Sequence, residues 1–137
     1  MKKSFFIIFL LALGLILFTI YLGGSVKLFI NLPSVIISVF LAFLLCLGTF
    51  SPSEIVGYFS IALRNDASDQ KKIKNGIHFF SLYQSFLMVS GALGFFIGII
   101  LMLANLSDPE ALGPGMAVAL LVMFYSLIFI LMITTPF

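Results

Sequence analysis

The stretch that decides the fold runs from Asn105 to Pro136 and reads NLSDPEALGPGMAVALLVMFYSLIFILMITTP. It opens with a polar turn that holds Asp108 and Glu110, passes a Gly-Pro-Gly run at 113–115 and continues without a charged residue to its end. At about 1.5 Å per residue, a helix of this length is too long for an ordinary core helix and long enough to cross a bilayer. The stretch therefore predicts a membrane-spanning helix against which the rest of the chain packs.

The composition of the whole chain agrees with a lipid environment. The 137 residues are 62% hydrophobic and 9% charged, and the mean hydropathy is +1.27. A soluble domain of this size has too little interior for so much apolar surface. The net charge of +2 is too small to indicate nucleic-acid binding. Cys46 is the only cysteine and lies in an apolar run, so we expect a packing residue rather than a disulfide or a metal ligand.

Four apolar segments form one membrane domain, 1–137, with spans at about 4–22, 34–50, 77–106 and 115–135. The loop at 51–76 is the only extended polar region. The basic start followed by an apolar run imitates a secretory signal, but no small-x-small cleavage site follows it, so we expect a retained first span. The sequence predicts an all-α, polytopic membrane protein with four transmembrane helices.

The orientation of these spans follows from the distribution of basic residues. The N-terminus and the 51–76 loop carry Lys2, Lys3, Arg64, Lys71, Lys72 and Lys74, whereas the other two loops together carry only Lys27. Because loops rich in Lys and Arg stay in the cytoplasm, we expect both termini and the 51–76 loop to be cytoplasmic.

The 51–76 loop contains the pattern of a short amphipathic helix at 53–64. Ser53 is a plausible N-cap, and Glu54 and Arg64 lie in the first and last turns. One apolar face is formed by Ile55, Tyr58 (or Phe59) and Ala62. This helix either lies at the membrane interface or extends the second span. We expect the remainder, NDASDQKKIKNG, to be a solvated connector.

The middle of each span lacks Asp, Glu, Lys and Arg. Ion pumps and proton relays place ionisable groups at membrane depth, so the titrating group of any conduction must come from a partner. Gln84, Ser85 and Ser90 could line a polar path, although hydrogen bonds between helices are the ordinary role of such residues in lipid. No catalytic constellation is present in the sequence, and we expect no enzyme and no cofactor.

Small residues recur at helical spacing on the last two spans. Gly91, Gly94 and Gly98 make a groove on the third span for close packing, either within the fold or between protomers. Gly115 and Ala119 give the fourth span a similar small surface in its first turns.

Several motifs resemble a known family. The segment DPEALGPGMAVALL at 108–121, with Phe124-Tyr125 and Pro136 behind it, looks like the last loop and helix of MotA-type flagellar stator subunits. The Gly-Ala-Leu-Gly motif at 91–94 is similar to the third span of that family. The Gly-Gly turn at 23–24 and the Pro-Ser pair at 33–34 resemble its first turn and second helix start.

This resemblance implies an inner-membrane assembly driven by the proton motive force. MotA, ExbB and TolQ relatives form a pentameric ring around two single-span partner helices of the MotB or ExbD kind, whose aspartate carries H⁺ or Na⁺. The third and fourth spans would face that partner, and the first two would form an outer layer.

The residue patterns and the resemblance together give candidate residues for three roles. The candidates for the ion path or partner-facing surface are Ser85, Ser90, Gly94, Phe95, Val122, Met123 and Ser126. The candidates for oligomer packing are Gly91, Gly98, Gly115, Ala119 and Pro136. The candidates for cytoplasmic contact are Arg64, Lys71 and Lys72.

The sequence departs from the family pattern in two ways. Phe95, Val122 and Met123 stand where the family has threonines thought to help the ion pass, and Ser126 replaces a usual glycine. The cytoplasmic loop is much shorter than in flagellar stators, so we expect no direct torque on a flagellar rotor. Three hypotheses therefore stay open: a ring subunit of an ion-driven motor, a non-conducting interaction or scaffold protein, and a solute- or lipid-handling protein whose likeness is convergent packing.

Overall fold

A computed structural model describes residues 3–64 and 69–134 of the chain. Within them, four helices are long and apolar enough to cross a membrane, which confirms the prediction of an all-helical, four-span protein. The helices are α1 (Lys3–Gly23), α2 (Leu32–Val35, Ile36–Phe40 and Leu41–Thr49 in succession), α3 (Pro52–Arg64), α4 (Gln70–Ala104) and α5 (Pro109–Phe129, continued by a π-helical Ile130–Thr134). A 3₁₀ turn, Val26–Phe29, lies between α1 and α2.

The helix α4 begins earlier than the sequence pattern indicated. The predicted connector 65–76 is helical at residues 70–76, which form the first two turns of α4 and are mostly exposed, as a solvated segment should be. Residues 65–68 of that prediction lie outside the described residues. The carboxylate of Asp69 caps this start, because its Oδ1 accepts hydrogen bonds from the backbone N–H groups of Lys71 at 3.0 Å and Lys72 at 3.4 Å. The charged turns of α4 therefore continue directly into its apolar span.

The helix α5 likewise begins at Pro109 and passes through the Gly-Pro-Gly run without a break. Asp108 is the N-cap, and its Oδ1 accepts a hydrogen bond from the N–H of Glu110 at 3.1 Å. Pro114 lies inside the helix and has no N–H to donate to the carbonyl of Glu110, an exposed residue near the helix start.

The helix α2 contains a π-helical turn, Ile36–Phe40, in its middle. Four small residues at intervals of four, Ser34, Ser38, Ala42 and Cys46, are all 0% exposed. In a regular α-helix each residue turns by about 100°, so side chains four residues apart differ in direction by about 40°. The wide turn takes up part of this drift, and the four small side chains form one stripe that packs against the other helices.

The core at the α3 end of the molecule is aromatic. The ring centroid of Phe79 lies 5.3 Å from that of Phe50, 5.5 Å from Tyr58 and 5.1 Å from Phe80. Ile55 and Tyr58 are buried against this cluster, which confirms the predicted apolar face of α3. The predicted N-cap at Ser53 is wrong, since α3 already begins at Pro52.

A polar link ties the turn before α2 to α5. The Tyr125 hydroxyl donates a hydrogen bond to the carbonyl of Phe29 and accepts one from the N–H of Asn31 at 3.3 Å. Asn31 is also the N-cap of α2, because its Oδ1 accepts hydrogen bonds from the N–H and hydroxyl of Ser34, both at 3.1 Å. In contrast, no residue of the apolar window 6–23 in α1 is buried within the chain.

We expect Gly98→Ala to destabilise the protein. A Cβ at this position would lie 2.5 Å from the backbone nitrogen of Ala119, and backbone atoms cannot move aside as a flexible side chain can. The expected loss is about 1–3 kcal/mol, the range of overpacking in a core. Thermal unfolding in a mild detergent, followed by circular dichroism, measures it.

Gly48→Ala is the matched control for this prediction. Gly48 also lies in a membrane-spanning helix, but a Cβ there meets no atom within 4 Å. We expect its unfolding temperature to stay the same or rise. Equal stability of the two variants would contradict the close approach of α4 and α5 at Gly98.

Candidate functional site

The candidate residues converge where α4 and α5 touch. We call this contact, together with the adjacent buried Ser90, the glycine seam: Gly91, Gly94 and Gly98 of α4 with Ser126, Val122 and Ala119 of α5. The two helices run antiparallel, so the three glycines meet their partners in reverse order along the chain. Because lipid is as apolar as the side chains, helices in a membrane associate chiefly through such close packing.

Each glycine of the seam leaves room for an atom of α5. A Cβ at Gly91 would lie 2.7 Å from the Oγ of Ser126, and one at Gly94 would lie 2.2 Å from Cγ1 of Val122. Gly94 also faces α2, since its Cβ would lie 2.9 Å from Cγ2 of Ile37. The sequence indicated a groove on α4, and the structure fills that groove from within the same chain.

Four of the candidates for the ion path lie inside the seam. Val122, Ser126 and Ser90 are each 0% exposed, and Gly94 is buried between α5 and α2. Met123 is half-buried at the edge, with its sulfur 3.5 Å from a Cβ placed at Gly91. The structure therefore brings these residues together, with most of them closed off from any second chain.

The other two candidates lie on the surface of α4. Ser85 is exposed, and its hydroxyl donates to the carbonyl of Ser81 at 3.2 Å. Phe95 is half-buried, and its ring packs edge-on against Phe96 with the centroids 5.9 Å apart. These two side chains, with Met123, are the candidates that keep surface for a second chain.

Two hydroxyl groups in the seam lack a hydrogen-bond partner among the described residues. They belong to Ser90 and Ser126. A buried hydroxyl without a partner costs free energy that an apolar group of the same size does not, and such groups are rare in native proteins. They are the polar atoms that the fold itself leaves unsatisfied in the middle of the membrane-spanning region.

The candidates for oligomer packing lie at contacts within the chain. Gly91, Gly98 and Ala119 belong to the seam, and a Cβ at Gly115 would lie 3.2 Å from backbone and side-chain atoms of Met102. Their role between protomers stays a prediction. Pro136 lies outside the described residues.

The candidates for cytoplasmic contact are exposed. Arg64 ends α3, and Lys71 and Lys72 lie in the first turn of α4. Lys72 forms a loose ion pair with Asp69, with Nζ 3.9 Å from Oδ2. Both side chains are largely exposed, so this pair contributes little to stability.

A polar groove of about 540 Å³ separates α3 from the first turns of α4. Its walls are formed by Ser53, Glu54, Gly57, Tyr58, Ser60, Ile61, Asp69, Lys72 and Asn75. At its rim, Glu54 accepts hydrogen bonds on Oε2 from the N–H of Ser51 at 2.9 Å and from its hydroxyl at 2.8 Å. These two hydrogen bonds, of which the one from the backbone N–H has the larger effect, hold the pKa of the Glu54 carboxyl below its ordinary value.

The sequence interpretation missed two residues that shape the site. Ile37 closes the seam at Gly94 from α2, and Tyr125 ties α5 to the turn at Phe29 and Asn31. Neither contact has a local signature, because each joins positions far apart in the chain. Nothing in the residue spacing on one helix could have indicated them. Residues 3–64 and 69–134 contain no group of three or more His, Cys, Asp and Glu that could hold a metal ion.

Comparison with known families gives a match over most of this region. The MotA/TolQ/ExbB proton channel family matches residues 53–137, which include α3, α4 and α5. The match therefore contains the whole glycine seam and the polar groove beside α3.

Individual relatives point the same way. The chain is 60% identical to motility protein A of Aquifex aeolicus over 38 residues, which are 28% of this chain and 15% of that protein. It is 48% identical to motility protein A of Cereibacter sphaeroides over 46 residues, 34% of this chain and 18% of that protein. It is 36% identical to the chemotaxis protein PomA of Vibrio alginolyticus over 76 residues, 55% of this chain and 30% of that protein. The aligned stretches thus span less than a third of these relatives.

We expect Ser126→Ala to leave stability unchanged or to raise it by up to about 1 kcal/mol, because it removes a buried hydroxyl without a partner. Thermal unfolding in detergent measures this. The matched control is Ser38→Ala, which is equally buried but loses a 3.2 Å hydrogen bond to the carbonyl of Val35. A larger loss for Ser126→Ala than for Ser38→Ala would show that the Ser126 hydroxyl has a partner.

We expect Ser51→Ala to raise the pKa of Glu54 part of the way to its ordinary value, since the backbone N–H of residue 51 still donates. A pKa lowered by folding means that the ionised Glu54 stabilises the folded protein above its unfolded pKa, and that this contribution is lost as the pH falls through the lower, folded pKa. A ¹³C NMR titration of the Glu54 carboxyl measures the shift. In the control Ser53→Ala the titration should not change, because the Ser53 hydroxyl contacts Ser51 and not Glu54.

Proposed function

We propose, since the chain belongs to the MotA/TolQ/ExbB proton channel family, that it forms the homo-oligomeric ring of an ion-driven membrane motor or energy-transducing complex. The ring is pentameric and encloses a single-span partner of the MotB or ExbD kind. The family is one of channels and motor stators rather than of enzymes. The complex belongs to the bacterial inner membrane and uses a gradient of H⁺ or Na⁺.

One observation carries this proposal beyond family membership. The apolar cores of the four spans contain no Asp, Glu, Lys or Arg. Ion transfer through a membrane needs a group that binds and releases the ion at that depth. A chain of this family without such a group fits a ring whose ion-carrying carboxylate is supplied by its partner.

The exposed candidates indicate which surface meets the partner. Phe95 and Met123 are half-buried, and Ser85 is exposed. In the proposed ring these side chains face the partner helix. The buried residues Val122 and Ser126 lie behind them and hold α4 and α5 together, so that the two helices move as one body when the ring turns.

A second function, a non-conducting scaffold with the same ring, is favoured by the side chains of this surface. Phe95 and Met123 are apolar, and the hydroxyls of Ser90 and Ser126 are closed inside the seam. A path for ions needs hydroxyl or water oxygens to replace the hydration shell. The scaffold would keep the partner but pass no ions.

One part of the third hypothesis from the sequence is wrong. It treated the likeness to stator subunits as convergent packing, whereas the family matches the continuous stretch 53–137.

We expect native mass spectrometry of the detergent-purified protein to show five copies of the chain, and two further copies of a single-span protein when the two are produced together. The partner is sought among single-span proteins with an aspartate in the span. A chain that stays monomeric or dimeric in both preparations would contradict the ring. A ring that holds no partner would contradict the motor and keep only the scaffold.

Ion flux into proteoliposomes separates the motor from the scaffold. In the motor, the co-purified complex dissipates an imposed pH or sodium gradient, and changing the partner aspartate to asparagine stops it. In the scaffold, the complex and its aspartate-to-asparagine variant dissipate the gradient equally slowly. The double substitution Phe95→Thr with Met123→Thr does not restore flux.

A further inference from the structure

The helix α3 has more apolar surface than the chain itself covers. Ile55 and Tyr58 are 4% and 8% exposed in the aromatic core, whereas Val56 and Leu63 are 69% and 81% exposed. Val56 and Leu63 are seven residues apart and therefore lie on the same side of the helix. They form an exposed apolar stripe next to the buried face.

The contacts of α3 place it at the boundary of the membrane. The Phe59 ring packs against Phe79 and Phe80, with centroid distances of 5.9 and 5.3 Å, and a Cβ at Gly76 would lie 3.7 Å from the Tyr58 ring. This is the level at which α4 changes from charged turns at 70–75 to a run without Asp, Glu, Lys or Arg from Ile77. The helix α3 therefore lies where polar surroundings give way to lipid.

The polar groove fixes which side of α3 faces water. Ser53, Gly57 and Ile61 of α3 line it together with Asp69 and other polar residues of α4. At about 100° per residue, the Val56–Leu63 stripe is turned about 110° away from that wall. The stripe thus points away from the groove, on a side that the charged turns of α4 do not occupy.

Basic side chains are exposed at the same end of the molecule as the stripe. Arg64 follows Leu63 directly, and Lys71 and Lys74 are exposed on the first turns of α4. Two carboxylates near it among the described residues already have partners: Glu54 accepts two hydrogen bonds from Ser51, and Asp69 pairs with Lys72 and caps α4. Within residues 3–64 and 69–134, Arg64, Lys71 and Lys74 form no ion pair, and these three side chains remain for an anionic surface.

We propose that α3 and the first turns of α4 form a docking surface for anionic phospholipid in the adjacent leaflet. Val56 and Leu63 enter the acyl-chain region, and Arg64, Lys71 and Lys74 bind headgroup phosphates. An apolar stripe flanked by Lys and Arg at the end of a membrane span is the pattern by which interfacial helices bind anionic lipid. The proposal needs neither a partner nor ion conduction.

Tryptophan fluorescence tests the apolar part, because the chain contains no tryptophan. Leu63→Trp and Val56→Trp are reconstituted in vesicles of phosphatidylcholine and phosphatidylglycerol, with and without brominated acyl chains. We expect blue-shifted emission that brominated lipid quenches and acrylamide does not. The matched control is Ser53→Trp, an exposed position on the groove wall, where acrylamide quenches and brominated lipid does not.

Two outcomes would overturn the proposal. Emission at positions 56 and 63 that matches that of Ser53→Trp would show that the stripe faces water. Protection from both quenchers would show that protein, a second copy or a partner, covers the stripe instead of lipid.

The dependence of the unfolding temperature on anionic lipid tests the role of Arg64, Lys71 and Lys74. Adding phosphatidylglycerol to the protein in a neutral detergent should raise its unfolding temperature, and Arg64→Gln/Lys71→Gln/Lys74→Gln should lose most of that rise. The control Lys27→Gln changes an exposed lysine in the turn after α1 and should keep it. An equal rise in the triple variant and in Lys27→Gln would overturn the role of these three residues. Neither assay needs the ring or an ion gradient, so its failure is separate from failure of the proposed function.

Discussion

The close approach of α4 and α5 at three glycines is the constraint on which the rest of the structure depends. In lipid, apolar side chains gain little by leaving their surroundings for one another, and helices are held by the number of atoms that can touch. Gly98 lets the α5 backbone itself come into contact. The helix α2 packs against the α4–α5 pair, with Ile37 against Gly94. Its stripe of small buried residues also faces the other helices. The helix α1 is left on the outside with no buried residue in its apolar window.

Polar groups have different roles at the ends of the spans and in the seam. At the ends of the spans, hydroxyl and carboxylate oxygens cap helices, as at Asp69 and Asp108. In the seam, the hydroxyls of Ser90 and Ser126 have no partner in the described part of the chain. The α4–α5 pair is thus tightly packed, and the middle of each span carries no Asp, Glu, Lys or Arg. In the proposed complex, the partner supplies the ion-carrying carboxylate, and this chain supplies the ring of packed helices around it.

The number and type of helices could be predicted from the sequence, because hydropathy and length are local properties. The ends of α4 and α5 could not be read reliably, since caps at Asp69 and Asp108 outweigh the polar composition of the turns that follow them. The glycine spacing on α4 indicated a groove but not its occupant, and the contact of Gly91 with Ser126 joins residues that share no local pattern. The orientation of the chain in the membrane stays a prediction from its basic residues.

The π-helical turn of α2 has a consequence for how this family member tolerates insertions and deletions. Ser34 lies before that turn, Ser38 lies at its centre, and Ala42 and Cys46 lie beyond it, all fully buried. A π-helical turn holds more residues than an α-helical turn, so the loss of one residue between 36 and 40 is absorbed by a return to regular α-helix. Gaining a further residue there would instead rotate one half of the helix against the other by about 100°. Small side chains would then turn toward lipid, and bulky ones such as Phe40 or Phe43 would turn toward the packed helices. Packing alone therefore disfavours an insertion in this short segment, although it carries no motif that a search for chemistry would notice.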